Sequence, residues 1–357
     1  MKKILVAPLD WGLGHATRCI PIIRELIKRK CTVIIAGNGD SLVLLKAEFP
    51  QVMFYTLPSY EPTYPSDGNM VLKIMLQIPK FIRAIKNEHS RIESIVQSNH
   101  IDLIISDNRY GCWSRRAPSI FLSHQLNILM PKGLYWMSMP VNFFHRRLVK
   151  KFTHCWIPDY PDKNRRLSGR LCDHPENFFK DVAYIGPLSR FASMPVSSNN
   201  YDVVCIFSGP EPQRSIFERK VMHQLGKTSL RYFVARGKQS AEHSTRANEY
   251  SLVNTEELQR AMSQSPLVIA RSGYSTIMDL AALGKKGIVV PTPGQTEQEY
   301  LARRWSEKGV LYSMPQKSFN LKLALQESNR YTGFTNDCSH SRELLERQLD
   351  RVLSQLN

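Results

Sequence analysis

The sequence has no apolar run long enough to span a bilayer, no C-x-x-C pair among its seven cysteines, no short-period repeat and no low-complexity tract. The first absence excludes a helical membrane span. The second excludes paired-cysteine metal and redox motifs. Buried thiols in a reduced, cytoplasmic setting are therefore expected. A strand-like run opens at residue 4, so no signal peptide is expected. Acidic residues are also scarce: 31 Asp and Glu stand against 48 Lys and Arg, a net charge of +17. Residues 1–186 hold 26 basic against 15 acidic residues, or +11, and residues 187–357 hold 22 against 16, or +6. Such an excess points to an anionic partner, whether nucleotide, phospholipid surface or nucleic acid. No recognised nucleic-acid-binding module accompanies it, so nucleic acid is not expected.

What the 357 residues do contain is alternation, in a length suited to two domains. Strand-like runs fall at 4–9, 32–37, 52–57, 102–107, 119–123 and 154–159, with helix-like segments between most of them. Residues 15–29 place Ala16, Cys19, Ile20, Ile23, Leu26 and Ile27 on one helical face. Residues 70–98 predict a long helix kinked or broken at Pro79. At 186–200, GPLSRFASMPVSSNN reads as a linker. Alternation restarts at 201–209, 230–237, 266–273 and 286–294, and a last amphipathic helix covers about 341–356. The expected fold class is α/β, with two doubly wound, Rossmann-like domains facing across a cleft. The divisions are 1–186, a linker at 187–200, 201–340, and a C-terminal helix at 341–357 packing back on the first domain. In such sheets ligands sit beyond the carboxyl ends of the strands, and between two of them the cleft is the default site.

The turn DWGLGHATRC, residues 10–19, joins the first strand to the first helix. Gly12 and Gly14 permit a tight turn where a side chain would obstruct it. The turn ends at a helix N-terminus, where free N–H groups and the dipole favour negative charge. The same dipole disfavours imidazolium, so His15 is expected to be neutral and able to accept a proton. A merely structural histidine is the alternative. The dinucleotide fingerprint is incomplete: Thr17 stands where its third glycine belongs, and the second strand ends in AGNG without an acid.

The second motif is ARSGYSTIMDLAALGKKGIVVPTPGQTEQEYLARRW, residues 270–305. A strand gives way to Arg271, Ser272 and Gly273. A helix follows from Ser275 to Leu283, and then a strand leading into a polar loop that opens another helix. Hydroxyls and N–H groups at a helix start suit a pyrophosphate. Asp279, one turn in, suits ribose hydroxyls, and Gln298 and Glu299 suit sugar hydroxyls. Taken alone, Ser272–Thr276 also reads as an ordinary helix cap and Arg271 as a solvated charge.

Arg-Ser-Gly-x-x-Thr-x-x-acid, a Pro-rich strand end and a Gln-containing loop together resemble the donor site of GT-B glycosyltransferases. MurG-type enzymes and their relatives, of the hexosyltransferase type, are the nearest likeness. The G-x-G-H turn resembles their N-terminal glycine loop. SGPEPQR at 208–214 replaces the glycine-rich loop of MurG proper and points to a poorly characterised bacterial branch. The resemblance implies a UDP-sugar co-substrate and no cofactor. His15 would be the base on the acceptor hydroxyl. Gly12 and Gly14 would shape the loop near the diphosphate, and Ser208 and Gly209 would approach the phosphates. Arg271, Ser272, Gly273, Ser275 and Thr276 would frame the diphosphate. Asp279, where the family usually has Glu, would hold the ribose, and Gln298 and Glu299 would read the sugar. Direct displacement needs a base on the acceptor and positive groups on the leaving diphosphate, and would invert the anomeric carbon. No Asp-x-Asp signature appears, so no metal is expected.

Two stretches bear on the acceptor. IPKFIRAIK (78–86) and GLYWMSMPVNFFHRRLVKK (133–151) mix apolar, aromatic and basic residues. They read either as a peripheral contact with an anionic membrane, suiting a lipid-linked glycan acceptor at its inner face, or as core-facing helices with solvated basic ends. Asp107 and His124 follow predicted strands and would line the acceptor side. Three rival functions remain. A nucleotide-sugar hydrolase of the PseG type shares the G-x-G-H-x-x-R-C arrangement, here Gly12, Gly14, His15, Arg18 and Cys19. A non-catalytic nucleotide-sugar-binding protein is the second. An epimerase of similar architecture is the third, without a matching set of acidic residues.

Overall fold

The computed structural model describes residues 1–61, 63, 76–131, 133–176, 178–191, 199–237, 248–251, 253–335 and 340–356. The front lobe runs β1 (Lys3–Pro8), α1 (Leu13–Lys28), β2 (Thr32–Gly37), α2 (Gly39–Glu48), β3 (Met53–Thr56), α3 (Ile78–Asn99), β4 (Leu103–Asp107), β5 (Ser119–Leu122), α4 (Ser138–Val149), β6 (His154–Ile157) and β7 (Val182–Tyr184). Its strands form one sheet, ordered β3-β2-β1-β4-β5-β6-β7, with every pairing parallel. The rear lobe runs β8 (Val203–Ile206), α5 (Gln213–Leu225), β9 (Tyr232–Ala235), β10 (Glu249–Tyr250), α6 (Thr255–Ser263), β11 (Leu267–Ala270), α7 (Tyr274–Ala282), β12 (Lys286–Val289), α8 (Thr296–Glu307), β13 (Tyr312–Ser313) and α9 (Leu321–Ser328). Its parallel sheet is ordered β10-β9-β8-β11-β12-β13. The central strands are largely apolar because helices cover both faces, and β4 and β11 are buried throughout.

Strand order reverses between β1 and β4 in one sheet and between β8 and β11 in the other. A doubly wound sheet opens its crevice at such a switch point. The turn at residues 10–15 leaves β1, and the motif beginning at Arg271 leaves β11. Both motifs therefore stand at the mouths of their sheets.

The lobes share one apolar cluster, which reaches from Ile4 and Ile20 in front to Tyr274, Met278 and Leu301 behind. The last helix, α10 (Ser341–Ser354), follows the rear lobe in sequence but packs on α1. Leu345, Leu349 and Val352 are buried, Arg342 pairs with Glu25 at 2.8 Å, and Arg29 pairs with Asp350 at 2.7 Å.

Some expectations shift. Pro79 sits at the start of α3, where its missing N–H costs nothing, and does not kink the helix. Residues 70–75 of the expected helix and residues 192–198 of the expected linker lie outside the described residues. On α1, Ile27 is partly exposed and Ile22 is buried, because α2, α7 and α10 pack around the helix as well as the sheet. The short strands β7, β10 and β13 were not anticipated. Cys19, Cys112, Cys155, Cys172 and Cys205 are buried free thiols, and Cys31 is half-buried. Among the described residues no helix is long and apolar enough to cross a membrane.

Candidate active site

The site is built from the first turn of α1 upward. Gly12 caps the helix with φ of 108°, a conformation that favours glycine, and open space surrounds its missing Cβ. Ser41 Oγ on α2 donates to the Gly12 carbonyl at 3.2 Å and steadies the turn. Gly14 needs its size for another reason. A Cβ there would lie 2.8 Å from Ser275 Oγ on α7, and that hydroxyl donates to the Gly14 carbonyl at 2.8 Å. The glycine loop thus touches the N-terminus of the rear-lobe helix directly.

His15 follows. Its Nδ1 lies 3.0 Å from Asp107 Oδ2, at the carboxyl end of β4. Arg18, one turn further along α1, grips the same carboxylate with Nε at 2.8 Å and with Nη2, which also lies 2.8 Å from His15 Nδ1. Nδ1 thus sits between the Asp107 acceptor and the Arg18 donor: in the tautomer that donates from Nδ1 to Asp107, Nε2 carries the free lone pair, and Nε2 has no partner among the described residues. Burial lowers the His15 pKa, Arg18 lowers it further, and Asp107 opposes both. The ring is therefore neutral near pH 7 and competent to take a proton. Burial alone would raise the Asp107 pKa, but Arg18 and His15 outweigh it and bring the value down to about 2.

The network continues across the gap. Arg18 Nη1 lies 3.0 Å from His124 Nδ1. A guanidinium only donates, so His124 Nδ1 accepts and its Nε2 carries the hydrogen. That Nε2 lies 3.0 Å from Glu297 Oε1, in the first turn of α8. The His124 ring also stacks on Tyr274 of α7, with centroids 4.2 Å apart and planes 10° apart. Tyr274 in turn donates to the Pro158 carbonyl at 2.7 Å.

The rear-lobe residues take varied positions. Ser208 and Gly209 follow β8, and Gly209 has φ of 103° with open space at its missing Cβ. Gly273 caps α7 and is likewise open. Thr276 is half-buried in the first turn of α7. Ser272 is buried and donates to the Gln298 carbonyl at 2.8 Å. Gln298 Oε1 accepts from Thr292 N at 2.8 Å, and Glu299 Oε1 from Gly294 N at 2.9 Å, so both fold the loop before α8. Asp279 Oδ1 accepts from Ser189 Oγ at 2.6 Å. Burial raises its pKa to about 6, against Arg190 and Ser189.

Arg271 requires a correction. The sequence reading aims its charge at the leaving diphosphate, but its guanidinium is turned inward and is 1 % exposed. Nη2 donates to the Gln213 carbonyl and to Gln316 Oε1, both at 2.6 Å, and Nη1 to the carbonyls of Val290 and Pro291 at 3.3 Å. The group rests on the Phe217 ring. It ties together the loops that form the mouth of the rear sheet and does not line the gap. The cation beside His15 is Arg18. The sequence flagged Arg18 only as part of a motif and gave no sign of Glu297. One helical turn from His15 was the available signal for Arg18.

Among known proteins, residues 204–332 match the glycosyltransferase family 28 C-terminal domain. A protein of Methanosarcina acetivorans described as an uncharacterized glycosyltransferase is 23 % identical over 348 residues, covering 88 % of this chain and 86 % of that one. The UDP-N-acetylglucosamine--N-acetylmuramyl-(pentapeptide) pyrophosphoryl-undecaprenol N-acetylglucosamine transferase of Methylorubrum extorquens is 40 % identical over 65 residues, 18 % of each chain. Among solved structures, the spinosyn rhamnosyltransferase SpnG complexed with thymidine diphosphate superposes with a TM-score of 0.62 at 13 % identity, covering 99 % of this chain and all of that one. MurG of Acinetobacter baumannii gives 0.52 at 12 %, covering 100 % and 99 %. The two parallel α/β lobes thus share the GT-B fold of these solved glycosyltransferases, and the rear lobe matches a family 28 C-terminal domain over residues 204–332.

Proposed function

We propose that the chain is an inverting, metal-independent glycosyltransferase that moves a sugar from a UDP donor to a hydroxyl of a lipid-linked acceptor. One observation carries this reading. His15 presents an Nε2 without a partner among the described residues, at the end of a glycine loop in which the preceding carbonyl, that of Gly14, is bonded to the helix start of the donor lobe. In the reaction the acceptor O–H gives its proton to His15 Nε2. The acceptor oxygen bonds to the anomeric carbon, and the bond from that carbon to the diphosphate breaks. The pair of electrons leaves with the nucleoside diphosphate. The base contributes about 10²–10⁴ in rate. Free N–H groups at the start of α7 and after β8 meet the developing phosphate charge, with Ser208, Gly209, Gly273, Ser275 and Thr276 around it. Asp279 takes ribose hydroxyls, and Gln298 and Glu299 take the donor sugar. The metal-free mechanism is part of this proposal, with the helix-start N–H groups taking the leaving diphosphate in a sequence without an Asp-x-Asp signature.

The UDP assignment draws on the Methylorubrum relative, whose name specifies a UDP-sugar and a pyrophosphoryl-undecaprenol acceptor. A lipid acceptor also suits α4, which is built inside out. Asn142, His145 and Val149 face inward, while Trp136 just before the helix, Met139 and Phe143 are 73 %, 83 % and 68 % exposed. Arg146, Arg147, Lys150 and Lys151 follow. Leu76, Ile78 and Ile82 are exposed around the start of α3, beside Lys80 and Arg83. Trp113 stacks on His89 of α3 and lies under Lys151, so both stretches flank one loop. An apolar stripe with a basic margin fits peripheral docking on an anionic cytoplasmic leaflet.

Hydrolysis, with water as acceptor, is favoured by one observation: Arg18 and Cys19 of the G-x-G-H-x-x-R-C run both point to Asp107. The test begins with a thermal-shift screen of UDP, GDP, dTDP and their sugars, followed by incubation of the best donor with and without lipid extract. A glycolipid product of inverted configuration is expected, and free sugar alone would establish hydrolysis instead. His15→Ala should abolish transfer while leaving nucleotide affinity within about twofold. Full turnover by that variant overturns the role of His15.

A further inference from the structure

His15, Arg18, Asp107, His124 and Glu297 form an unbroken polar chain, and only Glu297 comes from the donor-binding lobe. His124 is held by that lobe on two sides, with Tyr274 against its face and Glu297 at its edge. Arg18 and Asp107 are almost wholly shielded from solvent, at 2 % and 0 % exposure, so uncompensated charge in the chain is costly.

The charges decide the matter. In the front lobe alone, Asp107 and Arg18 cancel. A proton arriving on His15 would then leave a buried excess of one positive charge. With Glu297 docked, the chain carries one negative charge before the proton arrives and none after it. We propose that Glu297 is a positioning residue that completes the base from the opposite lobe: acting through His124 and Arg18, it balances the imidazolium formed at His15, so the base reaches full strength only when the lobes are closed. The inference rests on the assignment of His15 as the base.

The groups facing His15 are Arg18 of its own helix, Asp107 of β4 and His124 after β5, while Cys19 meets Asp107 and Glu297 faces His124 from α8. Glu297→Gln is the informative change. The amide oxygen still accepts from His124 Nε2, so the link between the lobes survives while the charge is lost. Two quantities are measured on the full chain with UDP or a UDP-sugar: the pH profile of kcat at saturating donor, and the titration of the His15 ring by NMR in the UDP complex. In Glu297→Gln both midpoints should move down by about half to one pH unit, and the plateau kcat should fall about three- to tenfold. Donor KM should stay within about twofold. Glu297→Asp, which keeps the charge, should titrate close to the parent. Glu307→Gln, at the exposed far end of α8, should change nothing. His124→Ala removes the link from the front lobe and should move the His15 midpoint in the same direction by a smaller amount, which covers the case of a Glu297 variant that fails to fold. An unmoved His15 titration, or a loss confined to donor KM, overturns the proposal and leaves a simple lobe-to-lobe tie. If no donor is turned over by the parent, the transferase reading fails by itself, and the His15 titration still decides the charge link.

Discussion

Asp107 concentrates the chemistry of the front lobe in a single side chain. Its carboxylate serves His15, Arg18 and the thiol of Cys19 together. Its pKa lies below that of an unfolded aspartate, so its contribution to stability is present above pH 4 and is lost as pH falls through about 2. Asp107→Asn should flatten acid unfolding in that window and destabilise the fold by about 3–5 kcal/mol, because Arg18 is left buried without its counter-charge. Chemical denaturation at pH 7 and pH 3 checks both. Asp279 has the opposite sign. Its pKa is raised to about 6, so the protonated form dominates below that value. If its carboxylate takes the ribose hydroxyls, UDP affinity should climb between pH 5 and pH 7 with a midpoint near 6, and Asp279→Asn should remove the slope, as read by calorimetry. Residue identity was readable in advance for His15 and its glycines, since a strand-to-helix turn dictates where they sit. It was not readable for Arg271. A position just past a strand end faces either the gap or the loops beside it, and only the carbonyls of Gln213, Val290 and Pro291 settle which. Nor could spacing reveal Glu297, which meets His124 across 173 positions of chain.

Elements were legible where they are long and central. The β1–α1 and β11–α7 units announce themselves by an apolar run, a turn and a 3.6-residue period. The two-residue strands β10 and β13 are too short to carry any period and exist because a neighbouring strand offers its edge. Pro79 illustrates how position changes meaning: the same residue breaks a helix from within and starts one at its first turn. The contact of α1 with α7 yields a test at this scale. Alanine suits a helix better than glycine, yet Gly14→Ala should lower both thermal stability and kcat, since its methyl displaces the Ser275 hydroxyl and breaks a bond of about 1 kcal/mol. Pairing it with Ser275→Gly should recover much of the loss in a double-mutant cycle. For α4, replacing Trp136, Met139 and Phe143 together by serine should abolish sedimentation with anionic vesicles at low salt and leave melting unchanged, because the three side chains face solvent.

At the scale of the whole molecule, two sheets of like topology share one apolar cluster, and the loop leaving β1 is bonded to the start of the helix that follows β11. The sequence conveyed this duplication plainly, because a doubly wound sheet writes its order into alternating strands and helices. How firmly the lobes are joined depends on contacts between distant segments and was beyond its reach. The return of α10 to α1 has a practical consequence for anyone recombining such proteins. The chain's last helix is physically a component of its first half. Grafting a foreign donor module by a single crossover near residue 200 would import a terminal helix shaped for another host and leave Leu345, Leu349 and Val352 without equivalents. A viable hybrid needs two seams, the second just ahead of Ser341, so that the front half keeps its own closing segment.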